Sequence, residues 1–298
     1  MISRRSLFLA SMLPAAVRAV AAPGRMTLCM NQNTSLGAGY RKSLEGWSRA
    51  GIKYVELHAT LLDDFLKTDA AAAAKRILSD LNLTAVSCLG AVNDLWNPSP
   101  NHQAALDGLR KRCDLLSSLG VDRMVFNSRT AQKITQDDYK LGVDNLRAAG
   151  EIAKQYRMIA LMEFVRDSSF ISTLPTALKM TREAAHPNVR PMIDLYHFWS
   201  GLSKFEDLDL IHPGEIAHIH FQDVPDMPRE LLDTTTRWVP GEGISPLPRI
   251  LRQLAAKGYA GPLSVELTHP MFQQADPYEM AHRIREKAEP IMRQARVL

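Results

Sequence analysis

The stretch His218-Ile219-His220-Phe221-Gln222-Asp223-Val224 sets two imidazoles and an amide at alternate positions. In an extended strand, residues i and i+2 share a face, so His218, His220 and Gln222 point one way while Ile219 and Phe221 point the other. Three other short apolar runs end in an acid held between hydrophobic neighbours: Met162-Glu163-Phe164, Ile193-Asp194-Leu195 and Val265-Glu266-Leu267. A carboxylate embedded in an apolar strand is costly to bury unless it is paired or ligated. A single one is more often a salt-bridged interior residue than a ligand. Four successive strands finishing in Glu, Asp, His and Glu point instead to one shared site. Three carboxylates converging beside an imidazole repel one another unless a cation joins them. Hard oxygen donors with one nitrogen suit Mn²⁺, Mg²⁺ or Co²⁺, and less specifically Zn²⁺.

The elements that must position these residues follow a regular alternation. Eight short apolar runs occur at 26–30, 53–57, 83–89, 123–126, 158–164, 190–195, 216–221 and 263–267. Between and after them lie helix-periodic segments at 70–81, 103–119, 137–156, 175–185, 246–257 and 277–296. Turn residues mark the hinges: Gly51, Asn82, Gly120, and the pair Gly258 and Gly261. Eight strands with helical or loop-rich crossovers, repeating every 30 residues or so, predict an α/β fold of the (β/α)8 TIM barrel type, as a single domain over 25–298. A doubly wound open sheet would carry a Gly-rich phosphate turn after an early strand. The glycines of NQNTSLGAGY, after the first run, lack that spacing. In a barrel, chemistry sits at the C-terminal ends of the strands, which is where the four polar residues fall.

Residues 1–24 read differently from the rest. A twin arginine, Arg4-Arg5, precedes Leu7-Phe8-Leu9-Ala10 and an Ala-rich stretch, the pattern of a twin-arginine export signal that would make the protein exported and periplasmic. The chain has 298 residues and a formal charge of +4. Without Arg4, Arg5 and Arg18, 33 basic residues face 32 acidic ones. That balance gives no electrostatic case for nucleic acid or a membrane surface. Beyond the signal no apolar run reaches the length of a membrane span. Cys29, Cys88 and Cys113 are odd in number, without metal-ligand spacing and in apolar contexts, so buried free thiols are expected.

Taken together, MEF, DLYH, HIHFQDV, PGEG and SVEL resemble the xylose-isomerase-like superfamily of sugar isomerases and epimerases, which includes hydroxypyruvate isomerase, inosose dehydratase and ketose 3-epimerases. The resemblance runs from about residue 26 to about residue 295. It implies one divalent ion at the barrel mouth, Mn²⁺ first and Mg²⁺, Co²⁺ or Zn²⁺ as alternatives, bound by Glu163, Asp194, His220 and Glu266. His218, one pleat deeper, is then a satisfied interior histidine or a support for the site. Glu163 and Glu266 are implied to act as acid and base on the two sides of a sugar. The family's DxxH pattern matches Asp194–His197, which gives His197 a substrate contact. Glu56 and His58 in KYVELHA, Arg229 in the loop after the seventh strand, and Trp199 are further substrate-contact candidates. Capping by Glu56 or His58, and core packing by Trp199, are the plainer alternatives. The DVPDMPRE spacing around Arg229 and the presence of Ser169 six residues after Glu163 both depart from the ketose epimerase pattern.

The implied activity is isomerisation or epimerisation of a sugar, keto-sugar or polyol through an enediolate, or dehydration of an inosose or keto-glycoside by the same groups. A non-catalytic exported binding subunit is the alternative of a different class, and the four intact candidate ligands count against it. An abasic-site endonuclease would need a basic groove. The expected partner is a small carbohydrate, with a homodimer or homotetramer implied by resemblance alone.

Overall fold

A computed structural model describes residues 25–90 and 92–298. The proposed signal, residues 1–24, lies outside the described residues. Nine parallel strands form one sheet: β1 Thr27–Asn31, β2 Tyr54–His58, β3 Thr84–Leu89, β4 Arg123–Asn127, β5 Ile159–Glu163, β6 Val189–Pro191, β7 Ile193–Asp194, β8 Ile219–His220 and β9 Pro262–Val265. Their order, β6-β5-β4-β3-β2-β1-β9-β8-β7, makes the first and last members the two halves of one stave. β6 pairs with β5, and β7 pairs with β8. Pro191 has no N–H to give the ladder, and the stave breaks just after it. Met192 N–H still donates to Met162 O at 3.1 Å on one side, and Ile193 N–H to His218 O at 3.2 Å on the other. The ring therefore closes into a (β/α)8 barrel of eight staves, as expected, with the sixth stave split.

The six helices read from periodicity are present at Ala71–Asp80, His102–Leu119, Gln136–Gln155, Leu174–Ala184, Leu247–Ala256 and Pro277–Ala295. Local rules set their ends. Asp276 accepts N–H bonds from Tyr278 and Glu279 with Pro277 in the first turn, and Gly120 closes its helix in the left-handed region. A further helix, Gly39–Arg49, was not read from the sequence. Its Gly46 lowers helix propensity, yet a Cβ there would lie 2.7 Å from Pro277 Cβ and 2.9 Å from Tyr278 N. The glycine is present because the first and last helices press together at that point. Outward-facing strand residues and inward helix faces share one continuous apolar layer that includes Leu44, Trp47, Leu109, Leu146, Ile219 and Ile284. All three cysteines are buried and free. Among the described residues no helix is long and apolar enough to cross a membrane.

Candidate active site

Glu163, Asp194 and His220 are the last residues of β5, β7 and β8, and Glu266 immediately follows β9. Four adjacent staves thus deliver four buried polar side chains to the C-terminal mouth. One ligand atom from each lies within 4.8 Å of every other. His220 Nδ1 is 3.0 Å from Glu163 Oε1, 3.3 Å from Glu266 Oε2 and 3.5 Å from Asp194 Oδ2. An imidazole Nδ1–H has one proton and can satisfy only one of these carboxylates. Ligands held 2.0–2.2 Å from a common ion are spaced about 3.0–3.5 Å apart. The donor set and its spacing fit a divalent cation.

Each of these side chains is held from behind. Asp194 caps the helix Leu195–Ser200, its Oδ1 accepting the His197 N–H at 2.8 Å, which leaves Oδ2 for the site. Gln222 Nε2 donates to that Oδ2 at 2.8 Å. Glu266 Oε1 accepts from Asn33 Nδ2 at 3.1 Å, and Asn33 is itself fixed by Gln273 Nε2 at 2.9 Å. Thr34 Oγ1 brackets Glu266 by donating to Val265 O and accepting from Leu267 N–H, both at 2.9 Å. His220 Nε2 points down the barrel at Glu56, 3.2 Å from its Oε2.

A buried arginine completes the site. Arg237 Nη1 contacts Asp194 Oδ2 and reaches Glu266 Oε2 at 2.8 Å, while Nη2 donates to His197 Nε2 at 3.0 Å. Its guanidinium lies over the Tyr196 ring, 5.2 Å from the centroid. The arginine lies in a loop organised by Asp223. Oδ1 of Asp223 accepts from the Val224 and Ser245 N–H groups and Oδ2 from those of Gly241 and Gly243, and the backbone of Asp223 pairs with Trp238, next to Arg237.

These charges sort the acids. Burial pushes the Glu163 carboxyl up to about 7 against the pull of His220. Burial raises Glu266 and Asp194 too, but Arg237 together with His220, and with His197 for Asp194, outweighs it and holds both well below the usual carboxylate range. Burial lowers His197 to about 4, so its ring is neutral at pH 7. With Nε2 accepting from Arg237, the proton of His197 sits on Nδ1, which has no partner among the described residues.

A cavity of about 440 Å³ opens above the cluster, and Glu163, Glu266, His197, Arg237 and Arg129 are in its wall. Of the substrate-contact candidates from sequence, His197 reaches it. The structure places the others elsewhere. Glu56 is fully buried one layer below, accepting from Ser264 Oγ at 2.6 Å and contacting His218 Nε2 at 2.9 Å. His58 stands at the end of β2, outside the cavity wall, its backbone N–H donating to Gln32 Oε1 at 3.1 Å. Arg229 donates to the carbonyls of Gly201 and Trp199, at 3.1 and 3.0 Å, and so ties two loops together. Trp199 packs half-buried against the core. Sequence reasoning passed over Arg237, although it stands just before the PGEG turn. A lone arginine in a polar loop reads as solvated, and only the bridge between Asp223 and Trp238 turns it inward.

Comparison with known proteins agrees with this architecture. A model described as the xylose isomerase-like TIM barrel matches residues 45–289. The chain belongs to that family. Among its relatives is an inosose isomerase of Halalkalibacterium halodurans, 26% identical over 254 residues, which cover 84% of this chain and 90% of the relative. A 3-dehydroshikimate dehydratase of Pseudomonas putida is 25% identical over 81% of this chain, a match to 38% of that longer protein. Among solved structures, the IolI protein with a bound zinc atom superposes with a TM-score of 0.84 at 23% identity, covering 91% of this chain and 99% of that one. A D-allulose 3-epimerase from Methylomonas sp. in complex with D-allulose does so with a TM-score of 0.70 at 19% identity, covering 91% and 98%. At these identities the structural matches speak for the fold.

Proposed function

We propose that this chain is a divalent-metal-dependent isomerase or epimerase of a sugar, keto-sugar or polyol. The observation that carries the reading is the pair Glu163 and Glu266. Both stand in the cavity wall, on staves three apart around the ring, and both reach the same His220 nitrogen. Glu163, Asp194, His220 and Glu266 would hold the ion. Its bound form would polarise a substrate carbonyl and acidify the neighbouring C–H. Mn²⁺ leads among the candidates because three of four donors are carboxylate oxygens, with Mg²⁺, Co²⁺ and Zn²⁺ behind it.

The chain's own residues account for the proton traffic. Glu266, kept ionised by Arg237, is the group suited to remove a proton. Glu163, in the cavity wall on the other side of the cluster, is suited to return one from that side. His197 stands in the cavity wall and would contact the substrate there. Where the carbon next to the proton bears a hydroxyl, donation from Glu163 to that hydroxyl would expel water, and the same site becomes a dehydratase. The similarity to both an inosose isomerase and a 3-dehydroshikimate dehydratase supports keeping both outcomes. Residues 1–24 alone support placing the enzyme outside the cytoplasm.

The test is proton exchange. Inososes, ketoses, keto-glycosides and a 3-keto cyclic hydroxy acid are incubated with the Mn²⁺-loaded protein in D₂O and followed by NMR. Deuterium is expected at the carbon beside the carbonyl of at least one class, with Glu163→Gln and Glu266→Gln each slowing uptake by roughly 10²–10⁴-fold. Absence of exchange and of water loss across all four classes would reject the reading.

A further inference from the structure

Glu56 has no place in the cavity, and yet it is a completely buried carboxylate. It accepts from Ser264 Oγ at 2.6 Å, and the Nε2 atoms of His218 and His220 stand 2.9 and 3.2 Å from the same oxygen, Oε2. Its Oε1 is 3.3 Å from His220 Nε2 as well, so the carboxylate straddles that nitrogen. An ionised carboxylate only accepts, and each neighbour must therefore present a proton to it. In its neutral form His220 then carries its proton on Nε2 and a lone pair on Nδ1. That lone pair faces Glu163, Asp194 and Glu266 at 3.0–3.5 Å. A nitrogen turned toward three carboxyl groups in this way is placed to share a divalent ion with them.

Building on the metal reading of the upper cluster, we propose that Glu56 is a positioning residue, which fixes the tautomer and orientation of His220 and so sets the affinity of the Glu163–Asp194–His220–Glu266 site for a divalent ion. A carboxylate behind a ligating imidazole raises the basicity of the coordinating nitrogen and removes the ring's freedom to flip. The register of the barrel builds this in. Ser264 is paired beside His220 across β8 and β9, and Glu56 comes from β2, two staves from Ser264 and three from His220, to meet both. His218, the deeper histidine on the His220 face, spends its Nε2 on Glu56 with Ser87 Oγ 3.4 Å away, and so holds the carboxylate from below.

The test reads metal binding and ring chemistry, with no substrate. Zinc affinity is measured by chelator competition on wild type, Glu56→Gln and Ser87→Ala, and the zinc-loaded, histidine-¹⁵N-labelled proteins are compared by NMR. In the wild type, the ring that responds to zinc should carry the metal on Nδ1 and the proton on Nε2. Glu56→Gln should bind zinc about 10–100-fold more weakly and lose that single-tautomer signature. Ser87→Ala, which disturbs the same buried layer without touching His220, should keep both. Should Glu56→Gln not fold, Glu56→Asp retains the charge, withdraws the carboxylate by one methylene, and should show a smaller loss of the same kind. A folded Glu56 variant with wild-type zinc affinity, an equal loss in Ser87→Ala, or zinc on Nε2 would overturn the proposal while leaving the metal site in place. A wild type that takes up no zinc would overturn both. Normal zinc binding without turnover of any substrate class would sink the enzymatic reading and leave this one standing.

Discussion

Glu163 is the residue at which the site's electrostatics can be tested most directly. In the metal-free protein its buried carboxyl keeps a proton up to about pH 7, where an ordinary glutamate releases it near 4.5. Below pH 4.5 folded and unfolded chains both hold that proton. Between 4.5 and 7 the folded chain holds it alone, so the stabilising contribution is lost as pH rises through this window. Glu163→Gln cannot ionise. In chelator, its stability advantage over wild type should therefore grow from pH 4.5 to 7.5, by on the order of 3 kcal/mol. Urea titrations across that range check it, and a gap independent of pH would mean that burial does not govern this carboxyl. Glu163 was legible in the sequence for the same physical reason. An acid between Met162 and Phe164 is anomalous in a buried strand, and so are Asp194 and Glu266 among their neighbours. Asn33 and Arg237 carry no such anomaly. Polar side chains beyond strand ends are ordinary on a surface, and only the closed ring brings them onto Glu266 and Asp194.

At the scale of elements, the loop after β8 shows how backbone geometry serves chemistry. Asp223 gathers four backbone N–H groups, two of them from Gly241 and Gly243. A Cβ at Gly243 would fall well inside contact distance of the Val224 carbonyl oxygen and 2.6 Å from Asp223 Cγ. Gly243→Ala should thus push the loop off Asp223, cost about 1–3 kcal/mol, and move Arg237 relative to Asp194 and Glu266. The expected result is a fold that melts earlier but cooperatively, with activity falling by more than the loss of folded protein explains. Unchanged kcat with the lower melting point would show that the loop does not position Arg237. This kind of constraint is only half visible in sequence. The PGEG turn could be read, but its anchor could not, because Asp223 follows a strand whose histidines drew the reading first. The helix Gly39–Arg49 was hidden likewise, its Gly46 set by packing on Pro277 and Tyr278 rather than by local preference. The six longer helices were readable because 3.6-residue periodicity survives wherever one face packs on a barrel.

For the whole molecule, the distribution of the four candidate ligands has a mechanical consequence. They come from β5, β7, β8 and the end of β9, half of the ring, and include the split stave where the barrel closes. An ion held by all four would cross-link the closure. The alternation of runs and helices announced a ring of eight staves, but the split after Pro191 was not evident, because the run RPMIDL is continuous in hydrophobicity and breaks only where its pairing partner changes. Binding to the folded state alone stabilises by about 2.7 kcal/mol at a hundredfold excess over Kd. For a domain of this size that corresponds to a rise of roughly 5 °C in Tm. Chelator-treated protein should gain this much on adding Mn²⁺, with Co²⁺, Zn²⁺ and Mg²⁺ ranking by affinity. His220→Ala and Glu163→Ala should gain little. A wild-type Tm indifferent to all four ions would remove the cross-link and, with it, the cation that the spacing of these side chains calls for.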